Sequence, residues 1–276
     1  MQLRLAGSSF GYLHHRSLED ALADLADHGL AEVELTTMPP HLHLPAVDAY
    51  RRRALRRELE RRGLACVSVN PGYVDINVVS VYAEFRELSL RFVEQGLELA
   101  HELGAPWTTL VSGRLHGLAP VDGDAARSVL EDGLGRLLAR ADALGVGIAL
   151  ENSPFGFMGR AADVLAVADA LDHPRLALCY DVASAVAQED PAAGIRTIGR
   201  RLGLVHLSDS SRDRFAHTSP GRGDVDFAEV AAALAGVAFA GPTVYELVDG
   251  EDPAPRLADD LRSLARHGWH GAARRS

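Results

Sequence analysis

Eight times between Leu3 and His267 the chain passes from a short run of aliphatic and β-branched residues into a longer amphipathic one. The strand-type runs are LRLAGSS (3–9), AEVEL (31–35), LACVSVN (64–70), WTTLVSG (107–113), VGIALEN (146–152), RLALCYD (175–181), LGLVHLSD (202–209) and PTVYEL (242–247). Several are almost continuously apolar, as strands of a parallel sheet covered on both faces must be. Between them lie helix-type segments at 17–29, 46–62, 80–104, 123–144, 160–171, 192–201, 226–236 and 254–267. The first opens on Ser17, a good N-cap, and stops at Gly29. No Pro/Gly/Ser linker or shift of composition interrupts the alternation. It predicts one domain, residues 1–276, folded as a single (β/α)8 TIM barrel. The competing doubly wound open sheet needs a glycine-rich phosphate fingerprint after its first strand, and GSSFGYLHH does not supply G-x-G-x-x-G.

Composition narrows the chemistry. There is no lysine; all 28 basic residues are arginines, which excludes lysine Schiff bases, lysine-anchored pyridoxal phosphate and the P-loop lysine together. A formal net charge of −10 repels phosphate backbones, so no nucleic-acid partner is expected. The run RRRALRRELERR (51–62) carries glutamates at helical spacing and reads as a solvated helix face. No apolar run approaches the ~18 residues of a membrane span, so no membrane partner is expected. The N-terminal MQLRLAGSSFGYLHH lacks the layout of a signal peptide, and the expected location is cytoplasmic. Cys66 and Cys179 fall inside strand-type runs and read as small buried hydrophobes.

In such a barrel the carboxyl ends of the strands form the functional face. Strand five ends in Glu151-Asn152, strand six in Asp181, strand seven in His206 and Asp209, and strand eight in Glu246. Any one of these alone reads as an ordinary strand exit or helix cap. Glu151, Asp181, His206 and Glu246, one from each of four consecutive strands, bring three carboxylates and an imidazole to one rim, where carboxylates without a cation would repel and take up protons. A divalent ion removes that conflict, and the mixed O/N set suits Mn²⁺, Co²⁺, Mg²⁺ or Zn²⁺. Glu151, Asp181, His206 and Glu246 are therefore the predicted ligands of one divalent metal ion.

Other polar residues are weaker candidates. His14 and His15 follow strand one, and His14 is expected to contact substrate, as is Asp209. Glu34 ends strand two and could reach the pocket, with Glu32 beside it read as an exposed glutamate. Trp107 begins strand four, away from the rim, and reads as packing. His41 and His43, flanked by prolines, read as an exposed loop. Arg114 and His116 follow strand four and read as lid or substrate contacts.

The motifs IALEN, LCYD, VHLSDSSR…PGRGDVDF and VYEL, together with AEVEL, make the chain resemble the xylose isomerase-like barrels, the sugar phosphate isomerase/epimerase and endonuclease IV superfamily. The resemblance runs over nearly the whole chain. It implies a single-metal site at Glu151, Asp181, His206 and Glu246, with the two glutamates as the acid/base pair on opposite faces of the substrate. It also implies a substrate contact for Arg212 and matches Gly221 and Gly223 to the family's Gly-x-Gly. Two departures stand out. Ser184 occupies the place of the histidine in the family's Asp-x-x-His, and Asn70 and Ser112 stand where the endonuclease branch has cluster histidines. His217 matches either a late cluster ligand or a loop histidine facing substrate.

The reaction expected of this set is proton abstraction next to a carbonyl on a small carbohydrate or polyol, through an enediolate, giving epimerisation or isomerisation. The alternatives are a dehydratase acting on a keto-polyol, an endonuclease IV-like phosphodiesterase, and a non-catalytic barrel subunit. Assembly into a homo-oligomer is left open.

Overall fold

The computed structural model describes residues 2–116, 122–154 and 156–272. Within them lie β1 (Leu3–Ser8), β2 (Glu32–Thr36), β3 (Ala65–Asn70), β4 (Trp107–Val111), β5 (Gly147–Glu151), β6 (Leu176–Asp181), β7 (Leu202–Leu207) and β8 (Pro242–Tyr245). Each pairs in parallel with the next, and β1 pairs with both β8 and β2, which closes the barrel. The intervening helices are α1 (Leu18–Asp27), α2 (Ala49–Arg62), α3 (Ala83–Leu103), α4 (Gly123–Leu144), α5 (Ala161–Leu171), the single turn α6 (Val182–Ala185), α7 (Pro191–Ile198), α8 (Phe227–Gly236) and α9 (Ala254–Ala265). None is long and apolar enough to cross a membrane.

Local chemistry sets the helix ends. Ser17 caps α1 by accepting the Asp20 N–H at 3.1 Å, and Gly29 leaves the helix at φ +84°. The arginine-rich α2 is a solvated face, with Arg61 and Arg62 both paired to Glu58. One element went unforeseen. A short β9 (Trp269–Gly271) pairs with Leu3–Leu5 of β1, below the point where β2 joins the same edge at Gly7 and Ser8. Three residues are too few to show a strand period.

Period-two alternation divides the buried residues into two layers. Outward side chains such as Ile148, Leu150, Leu178, Val205 and Leu207 pack under the helices, each worth ~1.5–3 kcal/mol when fully buried. Ala6, Val67, Ala149, Cys179, Leu204 and Val244, from six different strands, pack together with Trp107 inside the closed sheet. Trp107 is therefore packing, as expected. It lies across the floor between β4 and β7, because Gly147 and Gly203 leave room for its ring. Both cysteines are free and buried. Glu32 is not the exposed residue that the sequence suggests; it points into the barrel base at 5% exposure and pairs with Arg4.

A methyl group at Gly147 would overlap the Trp107 ring, which has no flexible end to move aside. Gly147→Ala is expected to lower stability by ~1–3 kcal/mol, the usual cost of overpacking, read as a lower urea midpoint at unchanged slope.

Candidate metal centre

Above the apolar floor, the same alternation turns the interior polar. Glu34 and Thr36 of β2, Ser68 and Asn70 of β3, Glu151 of β5, Asp181 of β6, His206 of β7 and Glu246 just beyond β8 are all buried. His206 occupies the centre, with no exposed surface. Its Nδ1 lies 3.1 Å from Glu151 Oε1 and 3.4 Å from Glu246 Oε2, and its Nε2 lies 3.1 Å from Glu34 Oε2. It is thus sunk beneath the rim and enclosed by carboxylates on two sides.

Asp181 ends β6 and caps α6. Its Oδ1 accepts the N–H groups of Ala183 and Ser184 at 2.9 and 3.2 Å, while Oδ2 accepts the Ser184 hydroxyl. Asn152 locks this strand end to β5, accepting the Asp181 N–H at 2.8 Å and donating to its carbonyl at 3.1 Å. Glu246 accepts from Asn70 Nδ2 at 3.4 Å. His217, on the loop after β7, lies 3.5 Å from Asp181 Oδ2 and 3.7 Å from Glu246 Oε2, and is held by Ser208 Oγ at 3.0 Å from Nδ1. A cavity of about 210 Å³ opens above these groups, lined by Glu151, Asp181, Ser184, His217, Glu246 and Asn70 with apolar walls that include Phe10 and Phe215.

With that geometry in view, the comparisons carry a definite meaning. The sequence profile of the xylose isomerase-like TIM barrel family matches residues 22–267. The chain belongs to that family. An L-ribulose 3-epimerase of Methylomonas sp. (strain DH-1) is 32% identical over 114 residues, which are 41% of this chain and 38% of that protein. An uncharacterized protein of Methanocaldococcus jannaschii is 23% identical over 250 residues, 87% of this chain and 82% of its own. Among solved structures, a D-tagatose 3-epimerase-like protein superposes with a TM-score of 0.83 at 19% identity, covering 96% of this chain and 99% of its own. The 3-keto-D-glucoside 4-epimerase of E. coli gives 0.81 at 20% identity, covering 96% and 100%.

For a xylose isomerase-like barrel, the structure gathers some of the expected residues and disperses others. Glu151, Asp181, His206, Glu246 and His217 come together. Asp209 does not join them: its carboxylate accepts four backbone N–H groups, those of Ser210, Gly221, Gly223 and Val225, at 2.8–3.1 Å. It organises the Gly-x-Gly loop, and Gly223 is glycine because a Cβ there would strike Asp209 and the Ser210 backbone. His14 is exposed and lines a separate surface hollow beside Asp252, away from the cavity. Arg212 is exposed on the rim, its backbone N–H donating to Asp224. Arg114 is tied by its guanidinium to the Val74 carbonyl. His41 is buried, not exposed, with Nε2 2.9 Å from the Arg16 carbonyl oxygen. Glu34 was the residue undervalued by sequence reasoning. Its signal lay in its inward register on β2, two residues from an interior Thr36.

The donor set fits a divalent cation. Glu34–His206–Glu246, Asp181–His217–Glu246 and Glu151–Cys179–His206 each bring three possible ligand atoms within 4.8 Å of one another, and the groups share His206 and Glu246. Left to itself, the cluster carries the electrostatic stress of that arrangement. Burial pushes the Glu151 carboxyl up to about 7, with His206 pulling it back and Glu246 and Asp181 adding repulsion. Burial would also raise Glu34, but His206 and hydrogen bonds from His206, Ser68 and Asn70 hold it below the usual carboxylate range. Burial disfavours charge on His206, yet Cys179, Glu34, Glu246 and Glu151 together raise it well above its ordinary value. Both thiols are pushed up by burial, Cys66 to about 12, and are inert.

A cation must displace the protons of Glu151 and His206, so its affinity falls as pH drops. Below about pH 7, the range set by Glu151, Mn²⁺ affinity measured calorimetrically is expected to weaken at least tenfold per pH unit.

Proposed function

We propose that the protein is a divalent-metal-dependent epimerase or isomerase acting on a small, uncharged keto-sugar or polyol. The observation that carries this reading is that Glu151 and Glu246, from separated strands, face one cavity of about 210 Å³ together with Asp181. Such a site is smaller than the ~300–1,000 Å³ typical of drug-sized ligands. Among the described lining residues there is no arginine, and the chain has no lysine, so nothing there would balance a phosphate. The epimerases named above support the same reaction class.

Glu151, Asp181, His206 and Glu246 are the proposed ligands, with His206 seated deepest. The bound cation would supply Lewis-acid polarisation of the substrate carbonyl. Glu151, facing the cavity beside the proposed cation, accepts a proton from the carbon beside the carbonyl by virtue of its position. Glu246, steadied by Asn70, returns a proton at the opposite face in an epimerisation or at the neighbouring carbon in an isomerisation. Ser184 and His217, which line the cavity, are proposed to bind substrate hydroxyls, whereas Arg212 is outside that lining. Phe10, Phe215 and Val248 keep bulk water from the reacting carbon. A phosphodiesterase of the endonuclease type is disfavoured by the charge of −10, and by Asn70 and Ser112 where cluster histidines would stand.

Metal-replete Glu151→Gln and Glu246→Gln are each expected to lose ~10²–10⁴ in turnover on a responsive ketose. Each should still exchange the substrate proton of one epimer with D₂O. Loss of water in place of exchange would favour a dehydratase, and undiminished turnover in both variants would remove the two-glutamate scheme. Phosphorylated ketoses are expected to show kcat/KM at least tenfold below their unphosphorylated counterparts, measured by the same exchange assay; equal values would overturn the uncharged-substrate reading.

A further inference from the structure

His206 has two ring nitrogens, and its buried neighbours distinguish them. Nδ1 faces Glu151 and Glu246, which line the cavity, whereas Nε2 faces Glu34, which does not. Glu34 has no exposed surface, and its oxygens are already engaged: Oε2 accepts the Ser68 hydroxyl at 2.6 Å, and Oε1 accepts Asn70 Nδ2–H at 3.1 Å. An acceptor fixed from two sides by β3 and set 3.1 Å from Nε2 calls for a proton on that nitrogen.

We propose that Glu34 is a positioning residue that holds His206 as the Nε2–H tautomer and turns Nδ1 toward the cation. The inference rests on the metal-dependent reading above and adds a named partner beneath the ligand histidine. A carboxylate behind a ligating imidazole fixes the ring's rotation as well as its tautomer. Asn70 extends the arrangement, since its Nδ2 reaches Glu246 as well as Glu34, so the support of His206 and the placement of Glu246 share one amide. Glu34 is not itself a ligand in this arrangement.

The test uses Zn²⁺, which is diamagnetic, and protein labelled with ¹⁵N-histidine. In the Zn²⁺-loaded wild type, His206 is expected to show a protonated Nε2 and a metal-bound Nδ1. Glu34→Ala is expected to weaken Zn²⁺ and Mn²⁺ binding ~10–100-fold, the usual effect of losing such a partner. Glu34→Gln keeps an acceptor oxygen and should lose less. Tyr12→Phe removes a different, part-buried hydrogen bond, from the Tyr12 hydroxyl to Asp24 at 2.6 Å. It should cost stability while leaving metal affinity unchanged, which separates positioning from general loosening. A metal-bound Nε2 with the proton on Nδ1 would overturn the proposal and make Glu34 a ligand. Wild-type affinity in a folded Glu34→Ala protein would overturn it and leave the metal reading intact. A wild type that binds none of Zn²⁺, Mn²⁺ or Co²⁺ would instead bring down the metal-dependent reading, and this one with it.

Discussion

Three carboxylates, those of Glu34, Glu151 and Glu246, are buried around the His206 imidazole, and a fourth, Asp181, is buried beside them against His217. Everything else near the site answers to that constraint. Like charges at this depth cannot all stay ionised unaided. The chain manages them by giving each a different environment. Glu34 is saturated with donors, Asp181 takes backbone N–H groups at a helix start, and Glu151 is left with repulsive neighbours and little else beyond His206. The least satisfied carboxylate is also one that opens onto the cavity. A cation arriving there relieves the repulsion, and a proton is what it must displace.

The fold was largely legible because a parallel barrel writes itself twice, once as apolar runs and once as amphipathic segments of regular length. The strand ends at Glu151, Asp181, His206 and Glu246 were legible for the same reason. Depth was not. His206 and Glu34 look like rim residues in the sequence, yet both are fully enclosed, since pairing β2 in register with β3 draws Glu34 beside Ser68. Asp209 shows what position alone does not reveal: a carboxylate after a strand can serve the loop that follows, and here four of that loop's amides donate to it. The burial of Glu32 is not legible in AEVEL because its partner Arg4 lies 28 residues away, on β1, which pairs beside β2.

The interior is graded from one end to the other. Trp107 and small aliphatic residues fill the floor, Cys179 and Glu34 sit beside the imidazole, and the cavity begins above it. The floor is bulky and inflexible, so the polar layer cannot sink into it. The buried carboxylate and imidazole groups are therefore spaced by strand register, which gives a site on rigid elements rather than on loops. The loop contribution, His217, is fastened to the same frame through Ser208 and through the paired backbones of Asp209 and Thr218.

Asp181 divides its two oxygens between different duties. Oδ1 belongs to α6, and Oδ2 to the Ser184 hydroxyl and the cavity. An ion at this carboxylate meets a single presented oxygen, so chelation through both would have to unwind the turn Val182–Ala185. With an ion proposed at Asp181, the four-residue helix would act as a gauge of coordination, because the amide protons of Ala183 and Ser184 are held by the aspartate's Oδ1. A larger ion that favours two-oxygen grips would be felt as fraying of that turn before any change in the barrel.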